Sequence, residues 1–302
     1  MQALKYYLLP SLLLTSLLFA QGPSKYNPRQ AFDPDFLSEP GTTYRSGSGA
    51  AGPGYWQNKA DYKIAPTLDT AANLLSAHEV ITYTNSSPVA LAYVWLQLNQ
   101  NIMKKDSRGT ITQPGRGGYS GAAESTEGFE LKSLRVTHHG RRTIPTYTVS
   151  DTLLQIVLPS ALIPNGDRIE IEIDYSVSIP HQGAGRMGRS GTPHGSICDI
   201  AQWYPRMAVY DDLRGWNNLP YLGAGEFYLD YGDFDCTLNV AGNQIVVASG
   251  ELLNPKEVLS SEQRRRINEA PQSDKTLSLR LKKQDRGQEA EVAAVASRGI
   301  LL

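Results

Sequence analysis

The ten residues Arg168–Val177 leave the backbone little choice. Ile169, Ile171, Ile173, Tyr175 and Val177 alternate with Arg168, Glu170, Glu172 and Asp174. Only an extended strand, whose successive side chains point to opposite faces, puts the apolar groups on one side and the charges on the other. Pro164-Asn165-Gly166-Asp167 precedes the run and carries hairpin-type turn chemistry. The same period recurs along the chain. Leu74–Asn85 alternates and is rich in β-formers. Leu91–Leu98 sets Ala92, Val94, Leu96 and Leu98 on one face and Leu91, Tyr93, Trp95 and Gln97 on the other, which predicts a strand covered on both sides. Thr152–Leu158, Phe234–Val240, Ile245–Ala248 and Thr276–Leu281 continue the theme. One helix is expected, capped by Ser260 with Gln263 at capping-box spacing. Its Arg264, Arg265 and Arg266 read as a solvated face rather than a nucleic-acid patch. Asp106–Gly128 and Pro180–Ser196 read as long loops. Many short strands with turns between them predict an all-β fold, a large antiparallel, saddle-like β-sandwich with one short helix.

The ends read differently. In residues 1–20, Lys5 is followed by an apolar run of thirteen residues, Leu8–Ala20. That is a secretory leader, shorter than the roughly 20 residues of a membrane span. The chain is therefore expected to be exported, periplasmic or secreted, with a start near Gln21 and no membrane span. Residues 21–54 are rich in Gly, Pro and Ser and read as a disordered linker, because such a composition cannot offset its ordering entropy by burial. With 29 Lys and Arg against 30 Asp and Glu, no global charge favours nucleic acid. In an exported protein Cys198 and Cys236 could pair or stand apart as half-buried thiols on separate strands, and the sequence leaves both open.

Chemistry is sparse. Catalytic zinc wants two His one helical turn apart with a third ligand. His78-Glu79 begins such a motif, but position 82 is Thr, and on a strand the i and i+4 side chains lie about 13 Å apart. His138-His139, read as strand, should face opposite ways. No metal ligand set is expected. Asp211-Asp212 and Asp230, Asp233 and Asp235 lack EF-hand spacing and read as turn and strand aspartates. Ser190 sits in a glycine-rich loop, outside the strand–elbow–helix setting of a nucleophile. No catalytic residue is expected.

The stretch Asp199–Asp212, DIAQWYPRMAVYDD, is more distinctive. It continues through Gly215-Trp216-Asn217 to PYLGAGEFYLDYGDFDCTLNV and IVVASGELLNP. Together with YWQNKADYKIAPTLD, HEVITYTNSSP and LAYVWLQLNQN, this order resembles the N-terminal domain of the aminopeptidase N and leukotriene hydrolase family of zinc metallopeptidases, in its bacterial exported branch. The resemblance covers residues 55–282. It implies a saddle of β-strands that packs on a separate catalytic domain, and a Gln lining the substrate pocket, matched here by Gln202 in A-Q-W-Y-P. A primary amide suits that task, since it donates and accepts without adding charge. Read from residue type alone, Gln202 serves a pocket or the sheet equally well. The sequence departs from the family in two respects. The 302 residues contain no H-E-x-x-H, so zinc, the cofactor of the full-length family, is not expected in this chain. Residues 283–302 no longer resemble the family and read as an unrelated or truncated tail. The expectation is a non-catalytic domain whose partners are a catalytic metallopeptidase domain supplied elsewhere and, in that context, a peptide substrate. The alternative is a stand-alone β-sandwich module that holds peptide or glycan through the region of Trp203, Trp216 and Tyr221.

Overall fold

A computed structural model describes residues 41–112, 125–181, 186–193, 195–223, 225, 228–242, 244–275 and 277, and the backbone of 292–298. The proposed leader, residues 21–40 of the linker, most of Thr276–Leu281 and the rest of the tail lie outside the described residues. The chain divides into two compact units, Met1–Tyr55 and Trp56–Leu302. In the first, Arg45 and Ala51 form a β-bridge and the Arg45 guanidinium lies 4.9 Å from the centroid of the Tyr55 ring.

The second unit is all-β. Its strands in chain order are β1 (Lys59–Asp69), β2 (Leu74–Asn85), β3 (Leu91–Gln97), β4 (Phe129–His138), β5 (Arg141–Thr143), β6 (Tyr147–Ser150), β7 (Leu153–Leu162), β8 (Asp167–Ser178), β9 (Met187–Thr192), β10 (Gly195–Ile200), β11 (Arg206–Met207), β12 (Tyr210–Asp211), β13 (Gly215–Trp216), β14 (Asp233–Asn239), β15 (Glu251–Leu252) and β16 (Val292–Arg298). One sheet of eight runs β15-β16-β14-β1-β2-β8-β4-β5, and one of four runs β11-β3-β7-β6. Among the described strands every pairing is antiparallel except β1 with β14.

Period two does what it predicts in β8 and β2, whereas β3, expected to be covered on both sides, exposes Ala92 and Tyr93. In β8, Ile169, Ile171, Ile173, Tyr175 and Val177 are buried, while Arg168 and Glu170 face water. In β2 the inward face is Leu75, Ala77, Glu79, Ile81, Tyr83 and Asn85. The apolar side chains among them meet Val94, Leu96, Leu154, Ile156 and Leu162 from the four-stranded sheet in one core cluster. Asn165 and Gly166 both have positive φ, 64° and 109°, as a tight turn into β8 requires.

Three expectations meet a different structure. Pro180–Ser196 is not one long loop, because β9 and β10 pair from Met187↔Ile200 to Thr192↔Gly195. Asp106–Gly128 includes a short helix, Arg108–Thr112, with residues 113–124 outside the description. Ile245–Ala248 forms no strand, and Val247 is 87% exposed. The tail contributes β16, which pairs with both β14 and β15. The helix Ser261–Glu269 is as expected. Ser260 Oγ accepts from the Gln263 amide N–H at 3.2 Å, and Gln263 Oε1 accepts from the Ser260 N–H at 2.9 Å. Arg265 and Arg266 of the triplet pair with Glu262 on that helix. Cys198 and Cys236 are free, half-buried thiols on β10 and β14. No described helix is long and apolar enough to cross a membrane.

Candidate functional site

The distinctive stretch leaves β10 as a ribbon pinned from below. The Ala201 N–H donates to Arg186 O at 2.9 Å, and its carbonyl accepts from Gln100 Nε2 at 2.8 Å. Gln100 is itself buried in the turn Asn99–Met103. Between these anchors and β11 the chain must change direction, and it does so at Gln202, whose φ is 53°. The other described non-glycine residues with positive φ are Asn73, His139, Asp151 and Asn165, all types that tolerate the left-handed region. Gln is not. The half-buried Gln202 amide makes no hydrogen bond with any described residue.

Downstream the ribbon is locked to the sandwich. Trp203 packs edge-on to Tyr204 at 5.3 Å, and Tyr204 packs edge-on to Tyr62, which stacks on Phe234. The Met207 N–H donates to the Tyr62 hydroxyl at 3.0 Å. Arg206 reaches Gln97 Oε1 at 3.2 Å while its Nε is buried without a described partner. That burial lowers its pKa.

Next comes the hairpin of β12 and β13. Tyr210 stacks on Trp56 at 5.7 Å, and Trp216 lies against both Tyr210 and Tyr83. Tyr221 is 3% exposed. Of the residues assigned to ligand binding in the module alternative, Tyr221 is buried and Trp216 is half-buried against Tyr210 and Tyr83. Asp211 accepts from the Leu213 and Arg214 N–H groups, Asn217 Nδ2 and the Tyr228 hydroxyl. Burial works against its charge, but the Tyr228 hydroxyl and the other donors hold its carboxyl below the usual range. Asp230 has no such donors: Oδ2 is buried without a described partner. Burial, reinforced by the Asp211 charge, pushes it up to about 8. Burial thus works against the charge of Asp230, while Asp211 is held by its donors and occupied as a turn cap.

His78 and Glu79 cannot begin a zinc motif. His78 faces outward and pairs with Asp174 at 2.7 Å, and Glu79 faces the core. With one side chain on each face of a strand, these two described residues do not form the helical ligand pair of a catalytic zinc. His138 and His139, by contrast, do not face opposite ways. Their rings lie 4.0 Å apart and both approach Asp167, because His139 is left-handed, with φ 48°. Alternation, which holds for a continuing strand, fails at that turn.

No family model matches the chain, and no curated protein matches it. Among solved structures, the chain is similar to M1 zinc metallopeptidase from Deinococcus radiodurans at 12% identity and a TM-score of 0.37, over 82% of this chain and 40% of that one. A mutant M1 zinc metallopeptidase from the same organism gives 13% and 0.36 over the same shares. A mutant two-domain M1 zinc metallopeptidase bound to L-arginine gives 12% and 0.39, over 80% of this chain and 39% of that one. The chain spans about 40% of the length of the solved structures it matches.

Proposed function

We propose that the chain is the non-catalytic N-terminal β-domain of an exported aminopeptidase-N-like zinc metallopeptidase, with Gln202 lining the peptide pocket beside a catalytic domain that these residues do not contain. The observation that carries this reading is the backbone at Gln202. A left-handed non-glycine residue costs about 1–2 kcal/mol, and no described hydrogen bond of its side chain repays that cost. Backbone strain of this kind gathers at ligand-binding sites. The free amide also suits the polar terminus of a peptide. The family resemblance of the residues around it supplies the substrate class.

The test joins the chain to the zinc-bearing domain of a related metallopeptidase. Gln202→Ala should lower kcat/KM about ten-fold or more, since a hydrogen bond to a charged terminus is worth about 1.5–3 kcal/mol. Tm should hold within a degree or two. Unchanged kinetics with a large fall in Tm would make Gln202 a structural amide instead. For export, mass spectrometry of the mature product should find a start near Gln21, and an intact Met1 in the cytosol would reject it.

A further inference from the structure

We propose that His138, His139 and Asp167 form a binding site for one divalent transition metal ion of the zinc type. β4 ends at His138 and turns through His139 and Gly140, with φ 48° and 76°, into β5, where Arg141 pairs with His138. Two successive positive φ values make a tight hairpin turn, and this turn folds the His139 ring back beside that of His138. On the adjacent strand Asp167 opens β8. His138 Nε2 lies 2.9 Å from Asp167 Oδ2, and His139 Nε2 lies 2.9 Å from Oδ1. The three donor atoms fall within 4.8 Å of one another.

The surroundings aim these donors. The Ile163 and Arg168 N–H groups donate to Asp167 Oδ2 and Oδ1 at 3.0 and 2.9 Å, which fixes the carboxylate plane. Ser160 Oγ, on β7, sits 2.8 Å from His138 Nδ1. That contact orients the ring and leaves Nε2 directed at the cluster, the arrangement by which outer partners position metal-binding imidazoles. The His138 and Asp167 side chains are only 6% and 9% exposed, while His139 is 67% exposed. The cup is therefore rigid on two sides and open on the third. A tetrahedral ion with bonds of about 2.0–2.1 Å needs ligand atoms about 3.3 Å apart. The two nitrogen–carboxylate separations, each 2.9 Å, are slightly shorter, and a small swing of the exposed His139 ring would adjust them to the ion. One cation then replaces the protons that two imidazoles share with one carboxylate. Two imidazoles and a carboxylate select zinc-like ions over calcium or magnesium, which want oxygen ligands. The fourth position faces water. Because Ser160 belongs to the four-stranded sheet and the ligands to the eight-stranded one, the ion would clamp the two together.

The test uses the untagged chain, stripped of metal and titrated with Co(II) alone, then with Zn(II). The expected result is one equivalent of Co(II) with visible absorption bands, displaced by Zn(II), and a Tm that rises with added Zn(II). His139→Asn keeps a residue that accepts left-handed φ while removing an exposed ligand. It should fold with an unchanged metal-free Tm and bind at least about 100-fold more weakly. His78→Gln, far along β2, should bind as the parent does. No stoichiometric uptake by the parent chain, or equal affinity in His139→Asn, would overturn the site. So would loss of binding in His78→Gln alone.

Discussion

At the scale of the residue, Glu79 stands out among the described residues as a buried carboxyl without a partner. It is 0% exposed, both carboxyl oxygens lack a described partner, and it sits in register between Ile64 and Ile173. Burial pushes its carboxyl well above the ordinary value of 4.5. The consequence for stability has a definite sign. Below about pH 4.5 the folded and unfolded chains both hold the proton, and folding keeps its full stability. As pH rises towards the folded value, the unfolded chain releases a proton that the folded chain must retain, and stability falls by up to about 1.4 kcal/mol per pH unit. Glu79→Met fills a similar volume without the charge. It should raise Tm more at pH 8 than at pH 5, and parallel Tm–pH curves for the two proteins would refute this. Glu79's inward face was legible, because the alternation of β2 dictates it. The convergence of His138 and His139 was not, since strand periodicity separates neighbours and only the following Gly140 hints that the strand has ended. At Gln202 the strain gives a further prediction. Gln202→Gly should gain about 0.5–1 kcal/mol in urea denaturation while losing kcat/KM in the joined enzyme as Gln202→Ala does. A loss of stability would show that the amide is held by the fold.

Elements were legible where burial has a period and obscure where pairing depends on distant partners. β2 and β8 follow from alternation alone. β9, with the sequence MGRSGT, has no alternation and two glycines, and it exists because β10 lies beside it. Ile245–Ala248 is the converse, an apolar run that no neighbour pairs. The parallel contact of β1 with β14 shows what such distant pairing demands. The chain enters β14 past Gly232, where a Cβ would lie 1.6 Å from the Ala60 carbonyl oxygen, while the Ala60 N–H donates to Tyr231 O at 3.1 Å. Backbone, unlike the end of a side chain, cannot swing aside. Gly232→Ala should therefore cost about 1–3 kcal/mol, read as a lower urea midpoint with an unchanged slope. An unaltered midpoint would mean that β1 and β14 can separate freely.

For the whole molecule the question is what covers the segment after the hairpin. Of the eighteen large apolar side chains exposed among the described residues, eight fall between Leu213 and Leu253, including Leu213 at 70%, Leu219 at 62% and Val247 at 87%. Scattered apolar exposure is ordinary, and these eight are candidates for the face that the proposed function requires. In the proposed function that face meets the catalytic domain, and without it these side chains remain in water. The chain alone, even when supplied with zinc, should hydrolyse no aminoacyl-nitroanilide, because it has no H-E-x-x-H and so no base placed beside a helical ligand pair. It should also self-associate, giving sedimentation coefficients that rise with concentration. The double change Leu213→Ser and Leu219→Ser removes apolar area without touching the core, so Tm should shift little, as for exposed positions generally. The same change should return the chain to a monomer and, in the joined enzyme, loosen the packing of the two domains, seen as faster proteolysis between them. A parent chain that stays monomeric at every concentration, with a joined enzyme indifferent to the double change, would place the partner surface elsewhere.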